Sequence, residues 1–399
     1  MVGFRKLGIS VSALLTLVAL KIYIDMTYTF LDGARRVPNT SRTPRDPLLL
    51  LETLRGRKNE SMMALYDSAQ KLRKVVVESD ALWNNRELHL LNNKGLKAWT
   101  CLKEKQPLKD PSTYPDSLQH FLLYGGCRNH QMLIDQPNKC PPNKTFLLLA
   151  IKSSPQNFAQ RQAVRDSWGK EKDYEGRLVR LVFLLGVAPG PDLSSLLWYE
   201  HKHSQDLLQW DFMDTFFNLT LKDQLFLGWA KKRCPGVGYI LKGDDDVFVW
   251  TPDIVHHLSM LDGNEPRALY MGDVVTSAKP YRDPRSKYYI PAAYYTGLYP
   301  PYAGGGGYVF SGVFIPWLYL VSQFVAPFPI DDVYTGMCFM ALGVSPTKHA
   351  GFRTFQVPGD QKVTKCPQQQ QQQLLLVHRK APQEMLKIWG EQRDPTAQC

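Results

Sequence analysis

Several signatures are missing from this 399-residue chain, and each absence removes a class of function. There is no GxxxxGK followed by Ser or Thr, no complete GxGxxG after a strand, no HExxH and no GxSxG. Kinase-like, dinucleotide-binding, zincin and serine-hydrolase chemistries therefore lack the residues that carry them. The seven cysteines include no Cys-x-x-Cys pair, which withdraws support from zinc-ribbon and thioredoxin readings. A uniform excess of positive charge is also missing. The formal net charge is +11, but residues 1–110 hold 19 Lys and Arg against 11 Asp and Glu, whereas the other 289 carry 29 against 26. No nucleic-acid motif accompanies the basic head, so a solvated stalk beside a membrane accounts for it better than a nucleic-acid partner.

What is present starts at the N-terminus, where Arg5 and Lys6 precede a run from Leu7 to Ile24 interrupted only by Lys21. That run can span a bilayer, and no small-x-small cleavage site follows it, so an uncleaved signal anchor is favoured over a cleaved signal peptide. The expected organisation is a cytoplasmic tail (1–6), a transmembrane anchor (7–26), a luminal stem (27–110) and one folded domain (111–399). Sequons at Asn39, Asn59, Asn143 and Asn218 agree with a secretory-pathway lumen. So do the cysteines, which allow up to three disulfides and one free thiol.

Apolar runs at Phe146 to Ile151, Leu178 to Gly186 and Tyr239 to Leu241 alternate with helical spacing, as at Leu221, Leu225, Phe226 and Trp229. This predicts an α/β fold with a mostly parallel central sheet. Between Tyr239–Leu241 and the β-prone Val247–Val249 lie three carboxylates, Asp244, Asp245 and Asp246. Acidic triplets are commonly solvated turns, but these are tethered at a strand end, where ligands of open α/β sheets bind. Buried negative charge needs a positive partner, and a divalent cation carrying a phosphate is the economical one. Further on, Gly304 to Gly307 run straight into the apolar YVFSG, which suits close approach of a ligand to the backbone. Asp331 and Asp332 open a helical pattern, where two capping acids would need no chemistry. A glutamine tract, Gln368 to Gln373, reads as a surface insertion.

From about Phe121 to Trp389 the chain resembles the type II membrane β-1,3-glycosyltransferases of the Golgi. The resemblance rests on FLLLAIKSS, RQAVRDSWG, DTFFNLTLK, KGDDDVFV, YPPYAGGGGYVFSG and PIDDVYTGMC in combination. KGDDD, YAGGGG and DDVYTGMC are most similar to the branch that transfers N-acetylglucosamine and extends poly-N-acetyllactosamine.

The resemblance implies a GT-A type nucleotide-sugar-binding fold, a Mn²⁺ or Mg²⁺ cofactor, UDP-GlcNAc as donor and a galactose-terminated glycan on glycoprotein or glycolipid as acceptor. It also implies a Golgi membrane location with the catalytic domain luminal, alone or in a homo- or hetero-oligomer. On the matching positions it implies Asp246 as metal ligand, with His378 completing the shell, and Asp244 and Asp245 at the donor. Gly305, Gly306 and Asp331 fall on the substrate side, and Asp332 becomes the general base. A diphosphate also needs cationic donors, for which Arg165 and Lys222, then Arg161, are the candidates. The competing readings are a β-1,3-galactosyltransferase and a non-catalytic, cation-dependent luminal lectin. A lectin would need neither the parallel α/β pattern ending in three acids nor a second acidic site at Asp332.

Overall fold

The computed structural model describes residues 58–92, 114–188, 190–261, 268–355 and 374–393. The anchor at 7–26, the sequon at Asn39 and the glutamine tract lie outside the described residues, among which no helix is long and apolar enough to cross a membrane.

The described residues open with α1 (Lys58–Arg73), α2 (Leu82–Asn92) and α3 (Asp116–Tyr124), then the short strand β1 (Met132–Ile134). The first half of the sheet follows as β2 (Thr145–Lys152), α4 (Phe158–Asp166), β3 (Lys172–Tyr174), β4 (Arg177–Val187), α5 (Ser194–Ser204) and β5 (Leu207–Met213). Helix α6 (Leu219–Arg233) leads into β6 (Tyr239–Asp244), β7 (Phe248–Val249), α7 (Thr251–Leu261) and β8 (Tyr270–Val275). After a Tyr- and Pro-rich excursion come β9 (Tyr302–Ser311), α8 (Ile315–Val321), α9 (Asp331–Ala341), β10 (Thr347–Lys348), β11 (Phe352–Arg353), β12 (Leu376–Val377) and α10 (Pro382–Arg393).

The main sheet runs β1-β5-β4-β2-β6-β9-β8-β10, with β3 beside β4, and a small sheet runs β11-β12-β7. Its central strands read as unbroken apolar runs because both faces are covered. In β2, Leu148 and Ala150 enter one core while Leu147, Leu149 and Ile151 enter the other, the period-two alternation of a strand. The parallel pairs β2–β4, β2–β6 and β4–β5 agree with the sequence pattern.

The sheet as a whole is mixed rather than mostly parallel, because β9 runs antiparallel to both β6 and β8. A parallel return requires a crossover, usually helical. The segment between β8 and β9 contains no helix and delivers β9 in the opposite direction.

Three further expectations can be set beside the structure. Helices α1 and α2 fall in the segment expected as stem and contribute to the core: Leu65, Ala69 and Leu72 of α1 and Trp83, Leu88 and Leu91 of α2 all join it. Asn218 is buried and its Nδ2 donates to Met213 O at 2.8 Å, so this sequon cannot carry a glycan in the folded protein, whereas Asn143 is exposed. The cysteines partly resolve: Cys140 bonds Cys234 across 94 residues, Cys127 is also disulfide-bonded, and Cys338 is free and buried, with its thiol pushed up to about 12 by burial.

The Cys140–Cys234 bond ties the turn before β2 to the end of α6, the two approaches to the strands that carry the acidic site. Replacing both cysteines by Ala should lower unfolding stability by about 2–4 kcal/mol. Denaturant titration of the oxidised wild type against the double variant measures this. Coincident unfolding curves would show that the bond contributes no stability.

Candidate active site

Strand β6 ends at Asp244, and the register of the parallel β2–β6 pair sets Lys152 directly beside it. Lys152 Nζ lies 3.0 Å from Asp244 Oδ1 and forms a second, close ion pair with Asp331 Oδ2 on α9. Its side chain is 4% exposed. Burial disfavours the ammonium, but Asp244, Asp331 and Asp223 outweigh that and hold its pKa well above the ordinary value. One cation thus joins the triplet to the second acidic pair.

The triplet divides in three directions. Asp245 turns inward, where its Oδ2 accepts from Ser153 Oγ at 2.6 Å and Asn157 Nδ2 at 2.9 Å. Asp244 and Asp246 turn toward His378, which follows β12 and is carried to the site by the antiparallel pairing of β12 with β7. His378 Nε2 stands 3.1 Å from Asp246 Oδ1 and 3.8 Å from Asp244 Oδ2. One donor atom from each of the three residues falls within 4.8 Å of the others.

This donor set fits a divalent cation. His378 Nδ1 is 3.1 Å from Thr354 O, a carbonyl that only accepts, so Nδ1 carries the proton and Nε2 of the neutral ring presents a lone pair. Asp246 Oδ1 is buried and makes no aligned hydrogen bond within the protein. Burial lowers the His378 pKa, yet the contact with Asp246 raises it overall. The same contact draws Asp246 below its usual value against the effect of its own burial. Three lone-pair donors converge where positive charge is favoured, either a proton on Nε2 or a cation ligated by two carboxylates and an imidazole.

The second acidic pair opens α9. Asp331 is buried against Lys152 and makes no capping hydrogen bond; the N-cap position belongs to Ile330. Asp332 Oδ2 accepts from Gly305 N at 2.9 Å and Oδ1 from Val333 N at 2.8 Å. Burial, then the neighbouring Asp331 charge, pushes its carboxyl up to about 7. The glycine run accommodates these side chains themselves: a Cβ on Gly305 would stand 3.2 Å from Asp332 Oδ2, and one on Gly306 would stand 2.7 Å from His378 Nδ1.

The three cations expected at a diphosphate have other tasks. Arg161 is fully buried and directs all five of its N–H donors at protein acceptors: Glu200 Oε1 and Oε2, Ser153 Oγ, Ser154 O and Pro155 O. Lys222 Nζ is buried between Ser153 O at 2.6 Å and Asp214. Arg165 lies bidentate on Asp206 and also bonds Glu200. Arg161 and Lys222 thereby hold the backbone at residues 153–155, and Arg165 ties Asp206 to Glu200. Sequence reasoning missed Lys152, Ser153 and Asn157. The signal for Lys152 was a lone charge closing the otherwise apolar FLLLAIK.

The chain is similar to known proteins over the region that carries this site. The galactosyltransferase family matches residues 159–350. N-acetyllactosaminide β-1,3-N-acetylglucosaminyltransferase 2 of Mus musculus is 49% identical over 294 residues, 73% of this chain and 73% of its own. The UDP-GlcNAc:betaGal β-1,3-N-acetylglucosaminyltransferase 8 of Homo sapiens is 37% identical over 411 residues, 99% of each chain. The acetylgalactosaminyl-O-glycosyl-glycoprotein β-1,3-N-acetylglucosaminyltransferase of Mus musculus is 42% identical over 296 residues, 71% of this chain and 75% of its own. The matched region contains both the acidic triplet and Asp332, and the relatives align over most of their length: the chain belongs to the galactosyltransferase family.

Proposed function

We propose that this protein is an inverting, metal-dependent glycosyltransferase of GT-A type. It moves N-acetylglucosamine from UDP-GlcNAc to the 3-OH of a terminal galactose on N-acetyllactosamine-type glycans, forming a β-1,3 linkage. The carrying observation is that two acidic sites of opposite character meet at Lys152: a ligand cluster with a depressed carboxyl at Asp246 and a buried pair with a raised one at Asp332. Environments that push two carboxyls apart suit one to hold charge and the other to move a proton. The printed names of the relatives support the donor sugar and the linkage.

A β-linkage formed from an α-linked donor requires attack from the side opposite the leaving UDP, so the acceptor hydroxyl must lose its proton away from the diphosphate. We assign that role to Asp332. Two backbone N–H groups fix its carboxylate, and a pKa near the working pH favours proton acceptance. Asp331, neutralised by Lys152, keeps a second charge from being left unpaired beside it. A Mn²⁺ or Mg²⁺ ion bound by Asp244, Asp246 and His378 would supply Lewis-acid stabilisation of the charge that develops on UDP. The same reading places the protein as a single-pass type II protein of the Golgi membrane. The apolar run at 7–26 and the Cys140–Cys234 bond in an oxidising lumen support it.

Three tests follow from the site. Asp246→Asn keeps shape and removes an anionic ligand. Transfer from UDP-GlcNAc with Mn²⁺ should fall by at least about 100-fold while the thermal midpoint stays near wild type. Full activity in this variant together with indifference to EDTA would exclude metal dependence.

Asp332 must be ionised to act as a base. Because its pKa is raised to about 7, kcat/KM should decline as pH falls through that value and level off above it. Asp332→Asn should lose about 10²–10⁴-fold in transfer and retain UDP-GlcNAc binding by calorimetry. Substantial transfer by this variant would remove Asp332 from the mechanism.

Arg165→Ala strips a buried partner from Asp206 and should cost about 3–5 kcal/mol of stability. Affinity for UDP-GlcNAc, measured well below the melting temperature, should change little. An unaltered melting temperature with lost donor affinity would instead restore Arg165 as a donor contact.

A further inference from the structure

We infer that helix α2, from a region that reads as stem, is a positioning element for the acceptor side of the site, with Asn84 and Trp83 as its gripping residues. The inference rests on the reading of Asp332 as the base for a glycan acceptor. What α2 grips are the two stretches of chain that hold Asp332: the Tyr-rich segment leading into β9, whose Gly305 N–H binds the carboxylate, and the turn leading into α9, which carries it.

The first N–H groups of a helix have no partner within it. In α2, Leu82 N donates to Ala293 O and Trp83 N to Tyr294 O, each at 2.8 Å. Asn84, fully buried, extends that contact. Its Oδ1 accepts from Thr296 N at 3.0 Å, and its Nδ2 donates to Thr296 O and to Val77 O, both at 2.9 Å. One side-chain amide therefore pairs with both backbone groups of Thr296, as a neighbouring strand would. Ser79 Oγ lies 2.8 Å from Thr296 Oγ1, and Gly297, at φ +105°, sits so close to Val77 that a Cβ there would come within 2.7 Å of it.

On the other stretch, Trp83 Nε1 donates to Ala326 O at 3.0 Å and Glu87 Oε2 accepts from Ala326 N at 2.8 Å. The Trp83 ring meets Tyr295 edge-on at 5.3 Å and Phe328 at 5.7 Å, which spans the two stretches. Phe328 is four residues before Asp332.

The gripped segment has no helix or long strand of its own between β8 and β9, so tertiary anchors set its course. Arg282 passes the hold along by donating to Ile290 O and Tyr295 O. Beyond these anchors, Tyr281 and Tyr288 remain exposed, Tyr281 at 62%, with ring centroids 5.9 Å apart. A segment fixed at Thr296 and exposing rings at its far end is placed to meet an acceptor, and the fixing residues come from α2.

The test uses the whole luminal chain, UDP-GlcNAc with Mn²⁺, and galactose-terminated di-, tetra- and hexasaccharide acceptors. Asn84→Ala should raise acceptor KM about tenfold, while the affinity for UDP-GlcNAc stays within about twofold. Trp83→Phe keeps an aromatic ring but loses the bond to Ala326, and should show the same split with a milder effect on folding. A purely structural role would lower the melting temperature and leave the ratio of the two constants unmoved. If both variants keep wild-type acceptor KM, or if donor and acceptor constants rise together, the inference is overturned. Wild-type protein that transfers to none of these acceptors would overturn the functional reading as well, so the two failures are distinct.

Discussion

The site depends on one buried ammonium. Lys152 closes β2 between Asp244 and Asp331, and no other cation stands between the two acidic clusters among the described contacts. Two carboxylates brought together in a low-dielectric interior repel each other strongly, and each would otherwise be driven to protonate. With Lys152 compensating one member on each side, the remaining acids are free to diverge. Asp246 is drawn low by His378, and Asp332 is driven high by burial and the Asp331 charge. The sheet register enforces this arrangement. Lys152 and Asp244 are partners in the β2–β6 ladder, so their side chains leave the same face at the same level.

Behind that lysine lies a layer of charge whose task is to hold backbone. The turn at 153–155 is gripped by Arg161 through Ser153 Oγ, Ser154 O and Pro155 O, and by Lys222 through Ser153 O. Ser153 in turn holds Asp245. The middle acid of the triplet is thus the inner end of a chain of hydrogen bonds that runs out to Glu200 on α5. The outer two acids remain for ligation. Arg161, Arg165 and Lys222 are each paired with carboxylates inside this scaffold.

The parts legible in the sequence are those set by local periodicity. An apolar run ending in three acids identifies a strand end whatever surrounds it, and Asp331–Asp332 before a helical pattern identifies a helix start. Partnership across the fold is another matter. Nothing near Arg161 in the sequence shows that Glu200 on α5 will receive it, and a cation on a helix reads alike whether it points to solvent or to a buried carboxylate. Helices α1 and α2 read as stem in the sequence because their helical pattern is weak. The burial of α2 depends on a groove made by residues 293–296 and 326–328, more than 200 positions away, and that of α1 on packing against α9. The mixed sheet was hidden for the same reason, since strand direction follows from how the chain returns after β8.

The glycine run shows how both halves of the site share one strand. The pairing of β9 with β8 shifts register across the glycines, so the directions of successive Cβ positions there do not simply alternate. At Gly305 the direction a Cβ would take leads to Asp332 on α9, which packs into the core that includes Val333 and Met337. At Gly306 it leads to His378, and at Gly307 to Leu376, part of the core shared with β7 and β12. The residue that would accept the proton and the residue that would complete the metal shell thus press against adjacent positions of β9. Any side chain there would separate them: a Cβ at Gly306 would already come within 2.7 Å of the His378 ring, and one at Gly307 within 2.3 Å of Leu376. Four glycines in a central strand weaken it. The ladders bracket the run rather than cross it: the pairing with β6 ends at Gly307, and the pairing with β8 shifts register between Tyr308 and Ala303. The close approach of Asp332 and His378 to β9 is therefore a property of the strand's missing side chains, in the stretch where its ladder is irregular.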